Sequence, residues 1–263
     1  MSMTLPIIDV LPIYQDNYVW FIVHPEHQQA YVVDPGDAEP VLAYLRDKNL
    51  DLSGILITHR HWDHVNGVEG VLERYHVPVY GPKHPAIPWV TNCVCEGSVL
   101  TLWDQFLIEV WSVPGHLPEQ LNYLLKGEHG QAFFGGDTLF SCGCSRIFDG
   151  TPQELLQSLK RIANLPDDTP ICTSHEYTLA NIDFAQTVEP ANTDLRAYKR
   201  EAQQQRQANQ PTLPTYSKRE KAVNPFLRCT IEQVISSVEQ HTGKKLANEL
   251  EVFTELRKWK DHF

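Results

Sequence analysis

Residues 58–64 read Thr-His-Arg-His-Trp-Asp-His, so four metal-ligand side chains (His59, His61, Asp63 and His64) fall within six positions. Imidazole and carboxylate donors together suit zinc, iron or manganese. A desolvated cluster of His and Asp is costly unless a cation compensates it. The spacing is not that of a helical zinc pair, in which two His lie four apart on one face. It alternates, so successive ligands can point from one irregular turn toward one or two centres. A polar loop that happens to be His-rich is the bland explanation, and the density of donors weighs against it.

The elements that must position these residues are legible nearby. Gly54-Ile55-Leu56-Ile57 is a short apolar run that reads as a buried strand leading into the motif. Three further apolar runs end in the same way. Phe106 to Val113 leads to Pro114-Gly115-His116, Ala132-Phe133-Phe134 to Gly135-Gly136-Asp137, and Ile171-Cys172-Thr173-Ser174 to His175. Loops at one edge of a sheet are where rigid scaffolds present functional groups. The glycines at 115, 135 and 136 let the backbone turn sharply or approach a metal. Taken alone, His116 or Asp137 is an ordinary surface residue and His175 an ordinary core histidine. The repeated strand-then-ligand pattern makes all three candidates, seven in total with the first four.

At 263 residues the chain can bury a substantial core in one large or two smaller domains. Its apolar runs are far too short to cross a bilayer. The N-terminal stretch has neither a basic n-region nor an uninterrupted apolar h-region, so no secretory signal is expected. Six cysteines in a chain of this length make no disulfide framework, and Cys93-x-Cys95 and Cys142-x-Cys144 lack zinc-ribbon spacing. They read as free thiols in a reducing cytoplasm. Residues 1–177 carry 9 Lys and Arg against 22 Asp and Glu, while residues 178–263 carry 13 against 11, which together give the net charge of −11. An acidic body lacks the basic footprint that non-specific nucleic-acid binding needs. The mildly basic tail can still offer cations to a small anionic ligand, although most of its charges belong to solvated helix faces.

Strands are expected at Ile7–Leu11, Tyr18–Val23, Ala30–Val33, Gly54–Ile57, Val77–Tyr80, Ser98–Leu102, Phe106–Val113, Leu121–Leu125, Ala132–Phe134 and Pro170–Thr173. Helices are expected at Pro40–Lys48, Gly67–Tyr75 and Pro152–Ala163, the last marked by Thr151, Pro152 and Glu154 as a capping box. After about residue 178 the strand signals stop, and segments 180–188, 194–208, 230–241 and 246–261 read as helices. Thr230 with Gln233 looks like a second capping box, and Pro211 to Pro214 like a turn. Leu250, Phe253, Leu256 and Trp259 recur at helical spacing and are expected to pack on the first domain. The domains expected are 1–177 and 178–263. No GxGxxG, P-loop or GxSxG motif supports nucleotide binding or serine hydrolysis.

His59-Arg60-His61-Trp62-Asp63-His64, followed in order by His116, Asp137 and His175, resembles the metallo-β-lactamase-fold hydrolases. Within them the chain is similar to the glyoxalase II family, the hydroxyacylglutathione hydrolases. The likeness extends over the whole chain: Gly143-Cys-Ser-Arg-Ile-Phe-Asp-Gly-Thr151, Ser174-His-Glu-Tyr-Thr178, Asn224-Pro-Phe-Leu-Arg228 and the tail Arg257-Lys-Trp-Lys-Asp261. The first motif alone marks only the superfamily, and the later ones are more specific. The resemblance implies an α/β (α+β) chain: a four-layer αββα metallo-β-lactamase-like sandwich followed by a smaller all-α domain. It implies two divalent metal ions, zinc first with iron or manganese as alternatives. His59, His61 and His116 would hold one, Asp63, His64 and His175 the other, and Asp137 would bridge them. Arg146, Phe148, Tyr177, Arg257 and Lys260 match positions that hold the glutathione moiety.

The implied reaction is hydrolysis of S-D-lactoylglutathione to glutathione and D-lactate, in methylglyoxal detoxification. A hydroxide shared by the metals would attack, with His59, His61 and Asp63 at the catalytic centre. The only partner expected is the small thioester, with no nucleic acid, no membrane and a monomeric chain. A mononuclear-iron persulfide dioxygenase of the same fold is the alternative, although such enzymes lack the long helical tail. Three departures stand out. After Gly115-His116 the family commonly reads Thr-x-Gly-His, whereas this chain has Leu117-Pro118-Glu119-Gln120. Asn66 replaces a common glycine, and Phe148 replaces a tyrosine found in some members.

Overall fold

The computed structural model describes residues 5–128 and 130–263. The chain divides into two compact units, one running to Val113 and resuming over Glu119–Gly136, the other comprising Pro114–Pro118 and Asp137–Phe263.

In the first unit β1 (Ile7–Ile13), β2 (Asn17–Val23) and β3 (Gln29–Val33) pair antiparallel. The chain then crosses through α1 (Ala38–Asp47) to β4 (Asp51–Leu56), parallel to β3. The short α2 (Trp62–Val65) and α3 (Val68–Leu72) lead to β5 (Val79–Gly81) and β6 (Asn92–Cys93), which extend the sheet in parallel. β2 is buried at nearly every position instead of alternating, the pattern of a strand covered on both faces. Val41 and Leu45 of α1 and Val68 and Val71 of α3 join Val19, Phe21, Val32 and Ile55 of the sheet in one core. β7 (Val99–Leu102), β8 (Phe106–Ser112), β9 (Leu121–Gly127) and β10 (Gly130–Gly136) form an antiparallel meander. β8 alternates buried Phe106, Ile108 and Val110 with more exposed neighbours, as a strand with one solvated face must.

The second unit opens with β11 (Leu139–Phe140) hairpinned to β12 (Gly143–Cys144). α4 (Pro152–Ala163) follows, then β13 (Pro170–Thr173), α5 (Thr178–Val188) and α6 (Thr193–Gln207). β14 (Thr215–Tyr216), α7 (Ser217–Val223), a 3-10 turn (Pro225–Leu227), α8 (Glu232–Thr242) and α9 (Glu249–Asp261) complete it. The capping box of α4 is present: Thr151 accepts from the Glu154 amide and the Glu154 carboxylate accepts from the Thr151 amide.

Several expectations need correction. Thr230 does not cap α8, which starts from Ile231 with no side-chain cap. α9 starts at Glu249, where Asn248 accepts from the Glu251 amide, and not at 246. The helix expected over 67–75 is present but shorter, as α3, and the separate α2 just before it was not expected. The motif is not wholly non-helical, because Asp63 and His64 lie in α2. β14 is a strand beyond residue 178, antiparallel to β13. The apolar stripe of α9 packs against α4, the 3-10 turn and α8, with the Phe253 and Phe226 rings 5.9 Å apart.

Candidate metal centre

The first unit contributes the loop that leaves β4. His59 is fully buried and His64 nearly so, with the His59 ring 4.8 Å from that of His61 and 4.1 Å from that of His64. What aims these rings is a residue absent from the sequence-derived candidates. The Asp34 carboxylate accepts from the Thr58 amide at 2.8 Å and the Thr58 hydroxyl at 2.6 Å, and His64 Nδ1 lies 2.9 Å from it. A carboxylate can only accept, so His64 carries its proton on Nδ1. The Thr58 hydroxyl spends its one hydrogen on Asp34, so His59 Nδ1, 2.9 Å from that oxygen, must also be the protonated nitrogen. Both imidazoles are thereby held as Nδ1–H tautomers with the Nε2 lone pair left for a ligand bond, the arrangement that fixes metal-binding histidines. Asp34, His59 and His64 bring ligand-type atoms within 4.8 Å of one another, but the hydrogen bonds to Asp34 make it the orienting group. Its backbone takes the left-handed conformation with φ 51°, which Asp tolerates better than most residues. Asn17 donates to Asp63 Oδ2 at 2.7 Å, and that oxygen stands 3.6 Å from His64 Nε2. That separation is beyond hydrogen-bond length and close to the roughly 3.4 Å between two donors that share a tetrahedral ion with bonds near 2.1 Å.

The second unit contributes His116, Asp137 and His175. His116 Nδ1 donates to the Arg146 carbonyl at 2.8 Å, so its Nε2 is again the lone-pair nitrogen, 3.7 Å from Asp137 Oδ2. His175 Nε2 lies 3.4 Å from the other oxygen, Oδ1. One carboxylate thus faces a different imidazole with each oxygen, and the Ser174 hydroxyl donates to it as well. Tyr177 lies flat on the His175 ring, at 4.7 Å and 3° between planes. Gly115 precedes His116 at φ 142°, with Leu155 so close that a Cβ would fall 2.5 Å from its Cα. Gly136 precedes Asp137 at φ 44°. Both positions demand glycine for reasons of backbone geometry.

The residues matched to glutathione binding all lie in the second unit, in different environments. Phe148 is 60% exposed, its ring 5.2 Å from that of His116 and nearly perpendicular. The Arg146 side chain is exposed and lies 3.7 Å from Asp261. Arg257 is only 5% exposed. Its guanidinium donates to the Cys144 carbonyl at 2.8 Å and to Asp261 at 3.0 Å, bracing the loop that carries Arg146. The Lys260 ammonium stands 5.2 Å from the Phe184 ring centre and 5.4 Å from that of Phe263. Its pKa is lowered, chiefly by burial and then by Arg257 and Arg146. All six cysteines are free. Burial pushes the Cys142 and Cys172 thiols well up and that of Cys144 up to about 11, so none of these three is a thiolate nucleophile at neutral pH.

The seven ligand candidates therefore form two sets, four residues in one unit and three in the other. Oxygen and imidazole donors fit zinc, iron or manganese. Sequence reasoning missed Asp34 and Asn17. Asp34 was accessible to it, because Val32-Val33-Asp34 repeats the strand-then-acid pattern of Phe134 to Asp137. Asn17 opens β2 and gives no comparable signal.

Residues 15–175 match the metallo-beta-lactamase superfamily and residues 176–263 the hydroxyacylglutathione hydrolase C-terminus. The hydroxyacylglutathione hydrolase of Nitrosomonas eutropha is 43% identical over 260 residues, covering 97% of this chain and 99% of its own length. The crystal structure of ETHE1 from Myxococcus xanthus shares the fold with a TM-score of 0.65 at 22% identity, covering 97% of this chain and 98% of that one. TTHA1623, solved in a di-iron-bound form, is 28% identical with a TM-score of 0.51 over 65% of this chain and 92% of its own. The chain adopts the metallo-β-lactamase fold with a helical C-terminal region, and it belongs to the hydroxyacylglutathione hydrolase family.

Proposed function

We propose that this chain hydrolyses S-D-lactoylglutathione and related 2-hydroxyacyl thioesters of glutathione, releasing glutathione and the hydroxy acid, as a step in methylglyoxal detoxification. The observation that carries this reading is the locking of His59, His64 and His116 as Nδ1–H tautomers on a chain of that family. Histidines prepared in this way present their Nε2 lone pairs, as metal-binding histidines do. We assign His59, His61 and His116 to one divalent cation, Asp63, His64 and His175 to a second, and Asp137 to both. Zinc is the first choice, with iron and manganese suited to the same donors. Such a pair, when bound, supplies a water of lowered pKa and a Lewis acid for the carbonyl oxygen.

The side chains perform the remaining work. Asn17 holds Asp63 by one oxygen, and Ser174 does the same for Asp137. Arg146 and Lys260 attract the two carboxylates of glutathione, Arg257 keeps the 144–146 loop in place for them, and Phe148 and Tyr177 flank the peptide. The leaving thiolate has a parent pKa near 8.5, so it departs without a strong general acid. The six free thiols suit a reducing compartment such as the cytoplasm, and among the described residues no helix is long and apolar enough to cross a membrane. A single chain carries every residue this reading requires. The match of residues 176–263 to the hydroxyacylglutathione hydrolase C-terminus weighs against the persulfide dioxygenase alternative. The test is thiol release from S-D-lactoylglutathione by zinc-loaded protein, beside oxygen uptake with glutathione persulfide. Thiol release without oxygen uptake is expected, and the reverse result overturns the reading.

A further inference from the structure

The loop that departs from the family pattern, Leu117 to Gln120, carries an ion pair that the altered residues themselves create. Arg60 lies between the ligands His59 and His61, and its Nη1 donates to Glu119 Oε1 at 2.5 Å. The two side chains are only 22% and 13% exposed. This differs from most of the chain's other Arg and Lys pairs, such as Arg46–Asp47 with side chains 74% and 67% exposed. The return of the His116 loop is fixed at the same place by the backbone. The Val113 amide donates to Gln120 O at 2.9 Å, closing the excursion, and the Leu121 amide donates to Thr58 O at 3.0 Å. His59 is therefore bracketed. The residue before it holds Leu121 through a backbone bond, and the residue after it holds Glu119 through a charge-assisted one. Glu119 is the third residue after His116, so the same pair limits where that loop can go. A glycine at 119, as the family commonly has, could make no such bond.

We infer that Arg60 and Glu119 are positioning residues that fix the His59–His61 loop against the return of the His116 loop, and so set metal affinity. The inference rests on the metal assignment above. Groups that orient ligands change metal affinity by about 10- to 100-fold when removed. Breaking one half of a mostly buried ion pair costs more than losing both, because a charge is left without its counterion.

The experiment is zinc competition against a chromogenic chelator on the full-length protein, with kcat and KM measured on the same samples. The proteins compared are wild type, Arg60→Gln, Glu119→Ala, the double variant, and the charge swap Arg60→Glu with Glu119→Arg. Each single variant is expected to bind zinc about 10-fold or more weakly, with kcat reduced, KM nearly unchanged and Tm little altered. The double variant is expected to lose less than the two single losses combined, and the swap to recover part of the affinity. Zinc affinities of both single variants within twofold of wild type overturn the inference. So does a double variant whose loss is the full combination of the two. Wild type that takes up no zinc would overturn the metal assignment itself, which is a different outcome.

Discussion

At the residue scale the proposed centre depends on hydrogen bonds behind the candidate ligands as much as on those residues. Asp34 accepts from the Thr58 amide and hydroxyl and from His64, so it sets the tautomers of two imidazoles at once. Asp34→Asn would replace an acceptor oxygen by a donor facing other donors. We expect zinc affinity to fall by about 10- to 100-fold, read by chelator competition, and affinity equal to wild type would contradict the role. Lys260 gives a pH prediction. Its pKa is lowered from the ordinary lysine value of 10.5, so its charge is present below that lowered value and is lost as pH rises through it. KM for the glutathione thioester should therefore climb at a lower alkaline pH than an unperturbed lysine allows, with kcat following a separate course. Lys260→Arg should hold KM flat over the same range. The candidate ligands stand out in the sequence because His and Asp at this density have few other uses. The orienting partners were not, since a lone Asp or Asn after an apolar run is common in any fold.

At the element scale the site is carried by loops that leave strand ends, and the loop after Asp137 is tied down by one buried carboxylate. Glu220 of α7 is fully buried and accepts from Ser141 at 3.0 Å, the Cys142 amide at 2.9 Å, Thr215 at 2.7 Å and Asn224 at 3.0 Å. Its pKa is raised, because burial outweighs those four bonds. The stability it contributes is thus full below its unfolded value and falls as pH rises through the elevated one. Glu220→Gln turns one acceptor oxygen into a donor that faces donors, and we expect a loss of about 1–3 kcal/mol in denaturant unfolding. Thr151→Ala, which removes the α4 cap, should cost about 1 kcal/mol by the same measurement. The Thr151 cap was legible because Pro152 and Glu154 reinforce it. Thr230 lacked such support, and α8 begins past it. α7 was not anticipated, since Ser-Lys-Arg-Glu-Lys-Ala-Val has little apolar periodicity. What holds it is the Glu220 network, which belongs to tertiary structure and leaves no pattern in the sequence.

At the scale of the whole molecule, the ten strands expected from apolar runs and turn residues are all present, with ends displaced by no more than three residues, whereas the short β6, β11, β12 and β14 gave no such signal. The strand-to-helix change near residue 177 lies beside the junction of the two family matches at 175 and 176, whereas the compact units assign 114–118 and everything from Asp137 onward to the second. A boundary read from sequence marks a change of local structure, while a compact unit gathers whatever packs together. The proposed assignment takes ligands from both units, so bound metal should also stabilise the whole fold. Zinc at about 100 times its Kd should add roughly 2.7 kcal/mol, seen as a higher Tm than that of the chelated protein. The most direct test is to titrate metal-free protein with zinc while following thiol release from S-D-lactoylglutathione. Turnover should be absent without metal and level off at two equivalents per chain. Full turnover at one equivalent, or turnover that ignores zinc, would contradict a two-cation centre.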